Sequence, residues 1–185
     1  MVALGPSHVS AYGLTVEAGT PLALEPTRHP DDDDQADKYD LADEVLGAAG
    51  LANYEISNWA RPGQECRHNL TYWRQGNYDG FGSAAHSHRD GRRWWNVRTP
   101  ERYVELVAAG RSAESAGETL DASTRRLEGL QLRLRMREGV PTSAFVPEDL
   151  AAMDGEGLVA VRDGRVTLTR PGRRLANAVA LRLRA

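Results

Sequence analysis

The sequence predicts an α/β chain. Residues 1–115 read as a run of strand and helix units of the barrel-like or doubly wound kind, and residues 116–185 as a small winged-helix-like domain. Three observations predict this. Stretches rich in β-branched and aromatic residues, 8–16 and 51–57, bracket a helical pattern, which is the order of a βα unit with parallel strands. Asp163-Gly164 sits between two alternating runs, a strong short-range hairpin signal, and is flanked on both sides by helical patterns. The chain has 185 residues, enough for one real core and a small second one, since domains cluster near roughly 100–150 residues.

The elements follow in order. His8 to Val16 (HVSAYGLTV) is a buried strand closed by Gly19, Thr20 and Pro21, and the prolines at 21, 26 and 30 keep the next segment irregular. Asp31 to Asp34 open a helix, where negative charge favours the macrodipole; Tyr39, Ala42, Val45, Leu46 and Ala49 give its apolar spacing and Gly50 ends it. Leu51 to Ser57 is a second strand, Tyr78 to Gly82 a third, and Pro100 to Ala109 a helix; no first half of such a barrel is visible. After Gly117 come a helix over 121–137 with Leu127, Leu130 and Leu134 on one face, a short helix over 148–153, strands at 158–162 and 165–169, and a last helix started by Pro171.

Composition narrows the function classes. No apolar run approaches the roughly 20 residues of a membrane span, and the first ten residues lack a basic and then apolar export signal, so a cytoplasmic location is expected. The net charge is −3, with 12 arginines against 9 acidic residues over 116–185, too small an excess for a nucleic-acid footprint. Cys66 is the single cysteine, so it forms no internal disulfide and supplies at most one ligand to a metal or cluster.

Candidate chemistry concentrates between Tyr54 and Ser87 (YEISNWARPGQECRHNLTYWRQGNYDGFGSAAHS). Glu55, Ser57 and Asn58 stand at a strand end, which in a barrel faces the active site, or simply turn the chain. Cys66 and His68 could together bind a soft metal or haem iron; an inert thiol beside a packed histidine is the plainer reading. His68, Asn69, Tyr72 and Trp73 suit either stacking on a flat ligand or core packing. Gly76, Gly80 and Gly82 allow close backbone approach by a ligand or make a tight turn, and His86 and His88 beyond them alternate. Trp94 and Trp95 with Arg92, Arg93 and Arg98 suit porphyrin carboxylates or a nucleic-acid strand as well as an exposed strand pair.

Taken together, HVSAYGLTVEAGTPL at 8–22, YEISNWARPG at 54–63, CRHNLTYWRQGNYDGFGSAAHS at 66–87 and DGRVTLTRPGRRLAN at 163–177 resemble the HemW-type haem-chaperone and oxygen-independent coproporphyrinogen III oxidase-like radical-SAM family. The resemblance implies the C-terminal part of a partial TIM-like radical-SAM barrel followed by the family's winged-helix-like domain. It also implies an absent N-terminal half, whose CxxxCxxC motif holds a [4Fe–4S] cluster that binds S-adenosylmethionine. Cys66 cannot replace that motif, so no radical catalysis is expected of this chain alone. The family pattern places Thr15, at a strand end, and His86 on the S-adenosylmethionine or substrate side. A histidine at position 86, where the oxidases carry a hydrophobic residue, favours the haem-chaperone branch over the oxidase. The resemblance leaves Cys66, His68 and His86 as haem candidates, with haem or porphyrin, haem-acceptor proteins and the missing half as partners. A nucleic-acid or docking role for the tail, through Arg125, Arg126, Arg133, Arg173 and Arg174, is the alternative from a different class.

Overall fold

The computed structural model describes residues 2–184. Its elements are β1 (His8–Ser10), α1 (Asp32–Ala48), β2 (Ala52–Glu55), β3 (Asn58–Ala60), α2 (Arg67–Trp73), β4 (His86–Arg89), β5 (Arg92–Asn96), α3 (Pro100–Ala108), β6 (Glu114–Thr119), α4 (Ala122–Leu134), β7 (Val140–Pro141), α5 (Pro147–Gly155), β8 (Val159–Arg162), β9 (Arg165–Leu168), α6 (Arg170–Arg174) and α7 (Ala176–Arg182). They form two compact units: residues up to 66 together with 134–184, and the contiguous stretch 67–133. Among the described residues no helix is long and apolar enough to cross a membrane.

In the first unit, Asp31 caps α1 by accepting a hydrogen bond from the Asp34 amide (2.9 Å), so the acidic run does open the helix. Gly50 ends it at φ +78°, while the Leu51 amide bonds back to the Leu46 carbonyl. The expected parallel pair is corrected in one respect. Strands β1 and β2 share a direction but do not touch, because β3 lies between them and pairs antiparallel with both. The cause is a turn at Ile56 and Ser57 that reverses the chain at once, leaving Glu55 opposite Asn58. Strand β1 also stops at Ser10, five residues short of Thr15. Val9, Leu46, Leu51 and Trp59 make the core of this sheet, with Tyr39 packed against it.

The C-terminal part of the same unit follows the expected order of helix, hairpin and helix. Asp163 and Gly164 both adopt positive φ, the signature of a tight turn whose twist matches its strands. Strand β9 is central, between β7 and β8, and Val159, Val166, Met153 and Val179 are buried around it. The last helix is broken at Leu175 into α6 and α7. The turn into α6 depends on Gly172, where a Cβ would lie 1.8 Å from the Leu158 carbonyl oxygen.

One carboxylate ties this unit together. Asp43 on α1 accepts from the indole of Trp59 (2.7 Å), from Arg170 (2.9 Å) and from both terminal nitrogens of Arg173 (2.8 and 3.3 Å). Arg170 also meets Glu44 (3.0 Å), and Arg174 meets Asp40 (3.1 Å). Burial pushes the Asp43 carboxyl up, but the hydrogen bonds from Arg173 and Trp59 outweigh it and hold the group below the usual aspartate range. Arg173 lies over the Tyr39 ring, and burial raises that phenol to about 12.

In the second unit, β4, β5 and β6 form an antiparallel sheet in that order. The third strand expected at 78–82 is instead irregular, with only a bridge from Tyr78 to His88, because Gly80 and Gly82 leave no side chains to pack on a neighbour. Strands β4 and β5 turn through Asp90-Gly91, both at positive φ. Helices α3 and α4 bury Leu106 and Leu130, while Leu127 remains 45% exposed.

Two outcomes follow. Gly172→Ala lowers stability by more than about 2 kcal/mol, read as a fall in denaturant midpoint, because backbone rather than a flexible side chain occupies the space. Asp43→Asn costs about 2–3 kcal/mol at pH 7 by leaving two guanidiniums without their shared anion. Folded Asp43 binds its proton less tightly than the unfolded chain. Its contribution is therefore complete above the unfolded value of about 4 and is lost as pH falls through the lower folded value. Unfolding midpoints measured below about pH 4 should drop more steeply for the parent chain than for Asp43→Asn.

Candidate functional site

The polar group at the β2–β3 turn is internally satisfied. Glu55 and Asn58 are both buried; Asn58 donates its side-chain amide to one oxygen of Glu55, the Ser57 backbone amide reaches the other (3.0 Å), and the Ser10 hydroxyl donates to the side-chain Oδ1 of Asn58. Of the two readings of YEISN, the turn is the one this geometry realises, since the carboxylate faces its own hairpin. Thr15 lies exposed in irregular chain of the first unit. Cys66 is half-buried in that unit, and its backbone amide donates to the Tyr54 hydroxyl (3.3 Å), which also contacts a ring nitrogen of His8 (2.9 Å).

The second unit carries the aromatic groups. Helix α2 is built from HNLTYW itself, so His68 and Tyr72, four residues apart, share a face and meet edge to face with ring centres 4.7 Å apart. Tyr72 in turn meets Tyr78 at 4.4 Å. The loop from Gly80 to Ala85 is fixed by side chains of its own hairpin. The Gly80 amide donates to the Ser87 hydroxyl (2.9 Å), and the Asn96 amide reaches the Gly82 carbonyl (2.9 Å). A Cβ at Gly80 would stand 2.1 Å from the His86 carbonyl oxygen, so this glycine serves close backbone packing. The loop delivers His86 to the start of β4, exposed, with its ring 5.6 Å from that of Trp95 on β5.

The five histidines separate cleanly on this geometry. His88 is buried; its Nδ1 donates to the Gly76 carbonyl (3.0 Å) and its Nε2 accepts from the Gly91 amide (3.2 Å), which fixes a neutral ring in a structural role. His8 is tied to Tyr54, and His29 to the Leu22 carbonyl (3.0 Å). Among the described residues neither ring nitrogen of His68 or of His86 is engaged in a hydrogen bond, and both side chains are exposed beside an aromatic face.

The arginines divide in the same way. Arg92 and Arg93 are paired with Glu114 (2.6 Å) and with Glu118 and Glu128 (2.7 and 3.0 Å), whereas Arg98 is exposed. Arg173 and Arg174, expected in a basic nucleic-acid face, are spent on Asp43 and Asp40. The single thiolate does not fit a [4Fe–4S] cluster, and among the described residues no three His, Cys, Asp or Glu side chains converge as a metal site.

Sequence reasoning missed the Asp43 hub, and it reached the β4–β5 hairpin only as an exposed strand pair left open beside ligand-binding readings. The hub has no local signal beyond charges spaced i, i+3 and i+4 at Asp40, Asp43 and Glu44 and again at Arg170, Arg173 and Arg174. The hairpin had one, Asp90-Gly91, between runs too rich in histidine and arginine to show apolar alternation.

A search of protein-family models gives no match. The chain is 44% identical over 185 residues to the haem chaperone HemW of Mycobacterium tuberculosis, covering 96% of this chain and 47% of that protein. It is 37% identical over 150 residues to HemW of Escherichia coli, covering 78% of this chain and 38% of that one. For HemW of Bacillus subtilis the figures are 31% over 193 residues, 96% and 51%. The chain thus spans about half the length of the curated relatives it matches. Among solved structures, the radical-SAM coproporphyrinogen III oxidase HemN of Escherichia coli superposes with a TM-score of 0.72 at 18% identity, over 98% of this chain and 48% of that one. At that identity the likeness speaks for the fold, and the α/β architecture here is that of the C-terminal half of the oxidase. The chain is therefore a homologue of the HemW proteins, matching a C-terminal part of them, and it shares the fold of the corresponding part of a radical-SAM oxidase.

Proposed function

We propose that this chain supplies the haem-binding part of a HemW-type haem chaperone, with His68 and His86 of the second unit as the groups that meet haem iron. The observation that carries the reading is the sorting of the histidines: these two present unengaged imidazoles beside aromatic faces. An imidazole is a common axial ligand of haem iron, and a tyrosine or tryptophan ring gives a macrocycle a surface to lie against. Arg98 is an exposed cation in the same unit, suited to a propionate. The names of the curated relatives support cargo binding over porphyrin oxidation. Cluster and S-adenosylmethionine chemistry, including any contact through Thr15 or His86, belongs to a longer family protein, since this chain has one cysteine. Haem-acceptor proteins are the partners this reading implies.

The test is a haem titration of the 185-residue chain followed by its Soret band. Saturable binding is expected, weakened at least tenfold in the His68→Ala, His86→Ala double variant and changed less than twofold in Cys66→Ser. Unchanged affinity in a folded double variant, or a tenfold loss in Cys66→Ser alone, would move the ligand elsewhere and sink the assignment.

A further inference from the structure

Helix α2 has seven residues, none of them buried, and a helix that short is marginal without tertiary support. The exposed imidazole of His68 therefore points in a fixed direction only through what the helix leans on. That support is a row of rings. His68 meets Tyr72 edge to face with ring centres 4.7 Å apart, Tyr72 meets Tyr78 at 4.4 Å and an interplanar angle of 67°, and Tyr78 lies 6.1 Å from the ring of His88. We propose that Tyr78 is a positioning residue of the haem site, which orients the His68 imidazole through Tyr72 without itself ligating iron; this rests on the haem reading above.

Tyr78 is the anchored end of the row, because it and the two residues before it are clamped to the β4–β5 hairpin. The Gly76 carbonyl accepts from His88 Nδ1 (3.0 Å). Asn77 donates its side-chain amide to the Asp90 carboxylate (3.1 Å) and accepts from the Asp90 backbone amide (2.9 Å). Tyr78 and His88 exchange both backbone hydrogen bonds (2.9 Å each). His88 is buried and held from its other nitrogen by the Gly91 amide (3.2 Å), so the ring beside Tyr78 is fixed as well. From there the row runs outward, from half-buried Tyr78 to Tyr72, 40% exposed, and on to His68, which shares a helix face with Tyr72. Aromatic pairs prefer tilted and edge-to-face arrangements, so each ring limits the next. An imidazole restrained before haem arrives loses less freedom on binding, and partners behind a metal ligand commonly set its orientation. His86 lies on β4 and has Trp95 rather than this row beside it, so the two candidate ligands can be told apart.

The test is a double-mutant cycle in the 185-residue chain with two readouts: haem affinity from the Soret band, and the His68 imidazole proton shifts of the haem-free chain, which the Tyr72 ring current displaces. Tyr78→Leu is expected to weaken haem binding at least about fivefold in a His86→Ala background, where His68 remains, and less than about twofold in a His68→Ala background. Tyr78→Phe keeps the ring and restores both affinity and shifts. In haem-free Tyr78→Leu the His68 shifts move toward their unfolded values while the rest of the spectrum stays that of a folded chain. Tyr78→Met, whose flexible side chain fills the same space without a ring, takes its place should Tyr78→Leu fail to fold. Equal losses in both backgrounds, or unmoved His68 shifts in a folded Tyr78 variant, overturn the proposal. A parent chain that binds no haem sinks the haem assignment instead, and the haem-free shifts still decide whether Tyr78 orients His68.

Discussion

The first unit depends on a single side chain, the carboxylate of Asp43, whose side chain is 12% exposed. A charge so placed is stable only when its lone pairs are filled, and here the indole of a fully buried tryptophan and two guanidiniums fill them. Helix α1 offers Asp40, Asp43 and Glu44, and α6 offers Arg170, Arg173 and Arg174, both at i, i+3 and i+4, so one acidic stripe meets one basic stripe. The contact reaches into the core through Trp59 and fixes Tyr39 through Arg173. It also explains why the arginine-rich tail offers no free basic face from these residues: its charge is answered inside the fold.

Much of the architecture was legible because local chemistry and tertiary outcome agree. The aspartate run, the spacing after it and Gly50 define α1 almost to the residue, and Asp163-Gly164 defines the β8–β9 hairpin. The failures have physical reasons. Strand β3 is three residues behind a tight turn, too short for periodicity to register, and it separates two strands that otherwise read as a parallel pair. Strand β6, ESAGET, is exposed throughout and polar; only its ladder with β5 and ion pairs such as Arg93 with Glu118 make it a strand. Long-range partners of this kind leave no mark in a local window.

The candidate site was legible as a neighbourhood rather than as roles. The stretch from Tyr54 to Ser87 was singled out by composition and by resemblance, yet its polar residues do different things. Glu55 and Asn58 stabilise their own hairpin, His88 braces a second one through both ring nitrogens, and His68 and His86 remain outward-facing. A sequence gives residue types and spacing, whereas which nitrogen is already spent is a property of the folded backbone. His86 and His88 show this most plainly: both lie on β4, and one is exposed while the other is buried.

The first unit is assembled from two stretches of sequence, up to 66 and from 134, which in chain order flank the contiguous stretch of the second. Asp43 and Arg170 are 127 residues apart, a distance that translation at the usual ~5–20 residues per second covers in about 6–25 s. During that interval the acidic stripe of α1 has left the ribosome without its basic counterpart, while the whole of 67–133 becomes available first. The order of synthesis therefore makes the segment bearing His68 and His86 complete before the Asp43 latch can form.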